Sequence, residues 1–130
     1  MILSSSAVAA IWRNAPEASR LHTAIMRSPV RAISAATVLE AAMLLLAERQ
    51  GGSDLELDAV LRELDVTVVP FTEAQAHRAR EAARTYGRGR HAAALTFGDC
   101  MAYALAVESG EPVLDVGEAF RHTDLERVPY

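Results

Sequence analysis

"ALTFGDCMAYALA", residues 94–106, places one carboxylate, Asp99, inside an almost wholly apolar run, just after Gly98 and where a helix should begin. A carboxylate in apolar surroundings is costly unless a helix N-terminus, a basic side chain or a metal ion meets it. The run has the length and small-residue content of a helix packed on a sheet, so the flanking segments should supply the strands. Val113 and Leu114 follow as a short strand, and the same alternation of β-like and helical runs extends to the start of the chain. Such alternation specifies an α/β fold around a parallel sheet.

Working outward, residues 1–3 are predicted as a strand, 5–12 as a helix, and 16–27 as a second helix with Pro16 in its first turn. Residues 30–33 form the next strand. Ser34 or Thr37 then caps a long helix through Ala47, stopped by Gly51 and Gly52, and Ser53 or Asp54 caps another to Leu64. Residues 66–69 form the third strand. Thr72 and Gln75 have capping-box spacing for a helix ending near Tyr86, where "GRGR" makes a glycine-rich loop. The helix at 98–108 and the fourth strand at 113–114 follow. A helical turn is expected near Phe120, and a last edge strand at Arg127 and Val128.

With 130 residues, half of them hydrophobic, the chain is expected to form one domain over residues 1–130 with one core. A formal charge of −4 excludes a broadly basic nucleic-acid surface, so any phosphate binding must be focal. The single Cys100 forms no internal disulfide and no thiolate zinc site, which suits a reducing compartment. The longest apolar run, residues 41–47, is too short to span a bilayer. "MILSSSAVAA" lacks the basic start of a secretory signal and runs into Trp12 and Arg13. The expected location is cytoplasmic, without membrane contact.

In an open parallel sheet, ligands bind beyond the carboxyl ends of the strands. Acidic residues with apolar neighbours fall at three such places: Glu40 in "SAATVLEAAMLLLA", Asp99, and the pair Asp115 and Glu118 in "VLDVGEAF". Carboxylates that converge without a sequence-local basic partner suit a hard divalent cation. Each also has a structural reading. Glu40 completes a Thr37-x-x-Glu40 capping box, Asp99 stabilises a helix N-terminus, and Asp115 and Glu118 are solvated loop acids. "RTYGRGRH" sets Arg84, Arg88, Arg90 and His91 around two glycines, either as a phosphate-gripping loop or as a solvated turn. Cys100 is read as a buried thiol in preference to a Cys/His nucleophile, and Trp12, Tyr86 and Tyr103 as core or cover in preference to base-stacking surfaces.

The segments "ILSSSAVAA", "ISAATVLEAA", "YGRGRHAAALTFGDCMAYALA" and "VLDVGEAFRHTDL", in this order across essentially the whole chain, resemble the PIN-domain ribonucleases of the VapC toxin type. The resemblance implies a three-layer α/β fold with a central parallel sheet of four to five short strands flanked by helices. It implies a Mg²⁺- or Mn²⁺-dependent endoribonuclease acting on RNA, a VapB-like antitoxin that blocks the site, and a homodimer, with residues 38–46 feeding an interface. Glu40 and Asp99 match two of the family's acidic positions and are expected to hold the ion. Arg88, Arg90 and His91 are expected to contact RNA. Two positions depart from the pattern: Ser4 stands where the family has an aspartate after the first strand, and Ala119 where it has one before the phenylalanine of the last motif. Asp115 and Glu118 are partial substitutes for these. The metal is therefore expected to bind weakly or not at all, and activity to be weakened or lost. The alternative is an inert PIN-fold protein that still binds antitoxin or RNA.

Overall fold

The computed structural model describes residues 1–48 and 54–130. Four short strands, β1 (Ile2–Leu3), β2 (Ala32–Ser34), β3 (Thr67–Val69) and β4 (Val113–Leu114), form one sheet in the order β3-β2-β1-β4. Every pairing is parallel, with Ile2 opposite both Ala32 and Val113, and Leu3 opposite Leu114. Two helices separate each successive pair of strands: α1 (Ser5–Trp12) and α2 (Ala18–Arg27), α3 (Ala35–Leu46) and α4 (Asp54–Glu63), then α5 (Glu73–Tyr86) and α6 (Phe97–Ser109).

Strand alternation divides the core into two layers. Leu3, Ile33 and Leu114 face α1 to α4 and pack with Val8, Leu21, Ile25 and Leu45. Val113 faces the other way, into the layer of α5 and α6 with Met101, Tyr103 and Phe120, and Ile2 and Ala32 pack with Leu105 and Ala106 of α6. Neighbouring side chains on a strand point to opposite faces, and β1, β2 and β4 are buried on both, while the edge strand β3 stays largely exposed.

Local chemistry sets the helix starts. Ser4 caps α1, accepting the Ala7 N–H at 3.2 Å, and Ser34 caps α3, accepting the Ala36 N–H at 3.3 Å. Ser34 being the cap, Glu40 lies in the second turn of α3 and not in a capping box with Thr37, whose buried hydroxyl has no partner among the described residues. Thr72 caps α5 through the Gln75 N–H at 3.2 Å, but the Gln75 side chain turns away to Glu108 at 2.5 Å. Only half of that expected box forms. The expected stop at Gly51 and Gly52 and the cap at Ser53 lie outside the described residues. The expected fifth strand is reduced to a single parallel bridge between Val113 and Arg127. Pro129, just beyond, has no N–H to extend the pairing.

The topology defines the place to look for a site. The chain runs outward from β1 through β2 to β3, then crosses back to β4 on the opposite side of β1. The strand order therefore reverses between β1 and β4, and ligands of open α/β sheets bind in the crevice at the carboxyl ends of such a pair. Ser4 and Asp115 are the residues immediately beyond those two ends.

Candidate metal centre

Ser4 is buried, and its Oγ lies 2.8 Å from Ser6 Oγ. Ser6 Oγ in turn accepts the Val116 N–H at 3.0 Å, so a chain of hydroxyls joins the ends of β1 and β4. The structural reading of Ser4 as a cap is realised, on the site side of the sheet.

Glu40 reaches the start of α6. A Cβ added to Gly98 would lie 1.8 Å from Cδ, Oε1 and Oε2 of Glu40, so the carboxylate occupies the space a side chain there would fill. Glycine at position 98 is the condition for Glu40 to lie beside Asp99. Sequence reasoning missed this role, although a glycine next to an acid in the first turn of an apolar helix was the available signal. Oε2 of Glu40 is buried and has no hydrogen-bond partner among the described residues. An unsatisfied buried polar atom costs about 1–3 kcal/mol, and more for a charged one, so this oxygen is a position where a cation would be stabilising.

Asp99 does two jobs. Its Oδ2 accepts the Thr96 N–H and the Thr96 hydroxyl, both at 2.8 Å, while its own N–H donates to Thr96 Oγ1 at 3.2 Å. This is a complete capping box on α6. The structural reading of Asp99 therefore holds, and it uses only one carboxylate oxygen.

Asp115 and Glu118 are committed elsewhere. Asp115 is buried, and Arg127 donates from Nε to its Oδ1 at 2.8 Å while Nη2 donates to the Gly117 carbonyl at 2.8 Å. Burial pushes the Asp115 carboxyl above its ordinary pKa, Arg127 pulls it down, and the charges of Asp99 and Glu118 push it up again. Those two charges place the three acids in one electrostatic neighbourhood. Glu118 is exposed and pairs with Arg121 at 3.0 Å. Ala119 opens a 3₁₀ turn, Ala119–His122, and packs against the layer of α5 and α6. Among the described residues, no group of three or more His, Cys, Asp or Glu side chains is arranged to hold a metal. Asp115 and Glu118 each pair with an arginine here, whereas Oε2 of Glu40 has no partner among the described residues.

The pair Glu40 and Asp99 fits a hydrated Mg²⁺, which commonly takes one or two carboxylates and completes its octahedron with water and substrate phosphate oxygens. The unpartnered Glu40 oxygen and the cradle at Gly98 are the features that fit.

Cys100, next to Asp99, is buried, and burial followed by the Asp99 charge raises its thiol to about 11. A thiol so placed is protonated at neutral pH and unsuited to nucleophilic work. His91 uses Nδ1 to accept the Ala93 N–H at 3.1 Å and sets its ring edge-on to Tyr86. Tyr103 donates to Asp124 at 2.8 Å, and Trp12 donates to Glu56 at 3.2 Å. Cys100, Tyr103 and Trp12 thus have the structural roles expected of them, and His91 fastens the turn that follows Arg88 and Arg90.

Arg88 and Arg90 are exposed on a loop pinned by the bridge between Gly87 and Leu95. The loop leaves α5 at Gly87, where a Cβ would meet the Ala83 carbonyl oxygen at 2.2 Å, and it turns at Gly89 with φ +78°. It leads directly into Thr96 and Asp99, and Arg88 lines a groove together with Thr96 and Cys100.

Comparison with known proteins gives a consistent set of similarities. A family model described as "PIN domain" matches residues 1–126. The chain is 43% identical over 128 residues to a protein named Ribonuclease VapC from Mycolicibacterium smegmatis, covering 98% of this chain and 99% of that one. It is 41% identical over 128 residues to Ribonuclease VapC30 of Mycobacterium tuberculosis, covering 98% of each. Among solved structures, VapC20 of Mycobacterium tuberculosis, titled a sarcin-ricin loop cleaving toxin, superposes with a TM-score of 0.75 over 98% of this chain and 97% of that one. At 18% sequence identity, that likeness is one of fold.

Proposed function

We propose a function from a plain premise: this chain belongs to the PIN-domain family, among its VapC-type ribonucleases. The reading is that of a toxin-type endoribonuclease that acts on RNA with Mg²⁺ or Mn²⁺ held by Glu40 and Asp99. The observation that carries it is the buried, unpartnered Glu40 oxygen seated on Gly98, beside Asp99 and close to the switch point of the sheet. When bound, such an ion supplies Lewis-acid polarisation of a phosphodiester and activation of water. The chain's own residues do the rest: Thr96 fixes the orientation of Asp99, Gly98 admits Glu40, and Arg88 and Arg90 hold phosphate oxygens at the rim.

Ser4 and Ala119 bring no charge to two positions where the family has aspartates. The proposed activity is therefore weak, and the second reading, an inert fold that still binds RNA or antitoxin, rests on the same two residues together with the Arg127–Asp115 pair. Glu40→Gln separates the readings, because it removes charge at nearly constant shape. For a working site, calorimetric Mg²⁺ affinity and cleavage of a structured RNA are expected to fall together by roughly tenfold or more. If wild type and variant bind Mg²⁺ equally poorly and neither cuts, the inert reading stands.

A second expectation concerns the basic loop. Each phosphate contact to a single strand contributes about 0.7 to the slope of log affinity against log salt. Arg88→Ala with Arg90→Ala is expected to weaken RNA binding and flatten that slope by about 1.4. An unchanged slope over a salt series would assign both arginines to a solvated turn.

Partner binding is proposed from α3. Leu39, Met43 and Leu46 expose 63%, 63% and 59% of their surface, one helical turn apart on one face. An apolar strip of this kind marks a protein contact, and a VapB-like antitoxin or a second copy of the chain is the proposed occupant. No described helix is long and apolar enough to cross a membrane; we place the protein in the cytoplasm, where its RNA substrate is found.

A further inference from the structure

Phe97 is 82% exposed, although it begins a helix whose following residues are buried. It stands at the mouth of a groove of about 500 Å³ between α5 and the start of α6. Phe71, Leu95 and Met101 supply apolar lining, and Arg80 and Arg88 supply the charge. Neither arginine forms an ion pair with any described residue. In a chain of net charge −4, two uncommitted guanidinium groups over an apolar floor are a local departure that needs a reason. Thr96 and Cys100 also line the groove, and they flank Asp99. Groove and candidate metal centre are thus two sides of the same helical turn.

We propose that this groove takes an unstacked base of single-stranded RNA, with the base on the Phe97 ring and the adjoining phosphates on Arg88 and Arg80. The inference rests on the ribonuclease reading and adds to it a specificity-determining residue. Aromatic side chains bordered by arginines are the usual platform for single strands, because every base offers a π-face and every linkage a negative charge. A protein partner is less well matched to this place. Its apolar contact is offered by the exposed strip on α3, whereas the groove combines an exposed aromatic ring with two guanidinium groups that form no ion pair with any described residue.

The test uses a short fluorescein-labelled single-stranded RNA in EDTA, so that binding is read without cleavage. Phe97→Ala and Phe97→Leu are each expected to weaken binding roughly tenfold, the loss of one base–aromatic stack, while Phe97→Trp retains wild-type affinity. The new indole should lose fluorescence on RNA binding, with wild-type protein, whose only tryptophan is Trp12, as the reference. Because Phe97 is exposed, the variants should melt with wild type. If wild type binds RNA and Phe97→Ala binds equally well, the stacking proposal is overturned, the ribonuclease reading survives, and the groove is left to a protein. If wild type binds no RNA, the stacking proposal falls, and the ribonuclease reading is judged separately by cleavage of RNA in Mg²⁺. Loss in Phe97→Ala but retention in Phe97→Leu would show a merely apolar contact and also overturn the proposal.

Discussion

Gly98→Ala is expected to leave the chain folded and to lower its Mg²⁺ affinity by roughly 10- to 100-fold, the range seen when the support of a metal ligand is removed. The new Cβ would lie 1.8 Å from three atoms of the Glu40 carboxylate, which no contact tolerates. What it meets is the far end of a flexible side chain and not backbone, so Glu40 swings aside at little cost to the fold. Alanine is also favoured over glycine within a helix by about 1 kcal/mol, which offsets part of any strain. The signature is therefore a melting temperature near that of wild type combined with a collapsed calorimetric Mg²⁺ isotherm and a matching loss of RNA cleavage. A variant that keeps full metal affinity would show that Glu40 is not a ligand, and the candidate centre would reduce to the capping of α6 by Asp99. A variant that fails to fold would show that the Glu40 contact holds α3 against α6, and Glu40→Gln then becomes the test of the ligand role.

The elements of the fold were readable wherever one local rule acted alone. Residues 5–12 were predicted and found as a helix because Ser4 is a sound N-cap followed by good helix formers. The four strands were found within two residues of their expected places, shorter than predicted in three cases, since apolar runs show burial but not where pairing stops. The edge strand at Arg127 shrinks to a single bridge because Pro129, just beyond it, has no N–H to extend the pairing. The site turns on contacts that no local pattern reveals. Glu40 and Asp99 were singled out as acids in apolar surroundings, but their meeting depends on the packing of α3 on α6 through a glycine. Asp115 seemed a free loop acid from its neighbours in sequence and is a buried, arginine-bound one in space. Phe97 passed unnoticed because exposure is a tertiary property, and an apolar residue at a helix start is usually covered.

Restoring carboxylates at both departing positions, Ser4→Asp together with Ala119→Asp, is expected to raise Mg²⁺ affinity and RNA cleavage by at least about tenfold, with the double change exceeding the sum of the singles. Aspartate replaces serine as an N-cap without loss, so α1 keeps its start while an anion appears at the end of β1. Asp115 lies at the end of the neighbouring strand, and Asp99 already bears on it. Two unit charges 4 Å apart interact by about 4 kcal/mol at an effective dielectric of 20, and here the sign is repulsive until a cation arrives. At position 119 the side chain packs against the apolar layer of α5 and α6, so a carboxylate there is also partly stripped of water. The metal-free double variant should consequently melt below wild type, and millimolar Mg²⁺ should restore it, since a ligand that binds only the folded state stabilises it by RT ln(1 + [Mg²⁺]/Kd). Groups sharing one ion are coupled, which is why additivity should fail. The decisive comparison is thermal unfolding with and without Mg²⁺ alongside calorimetry and cleavage of a structured RNA. If wild type already binds Mg²⁺ as tightly and cuts as fast as the double variant, Glu40 and Asp99 suffice alone, and the absence of acids at positions 4 and 119 has not weakened the site.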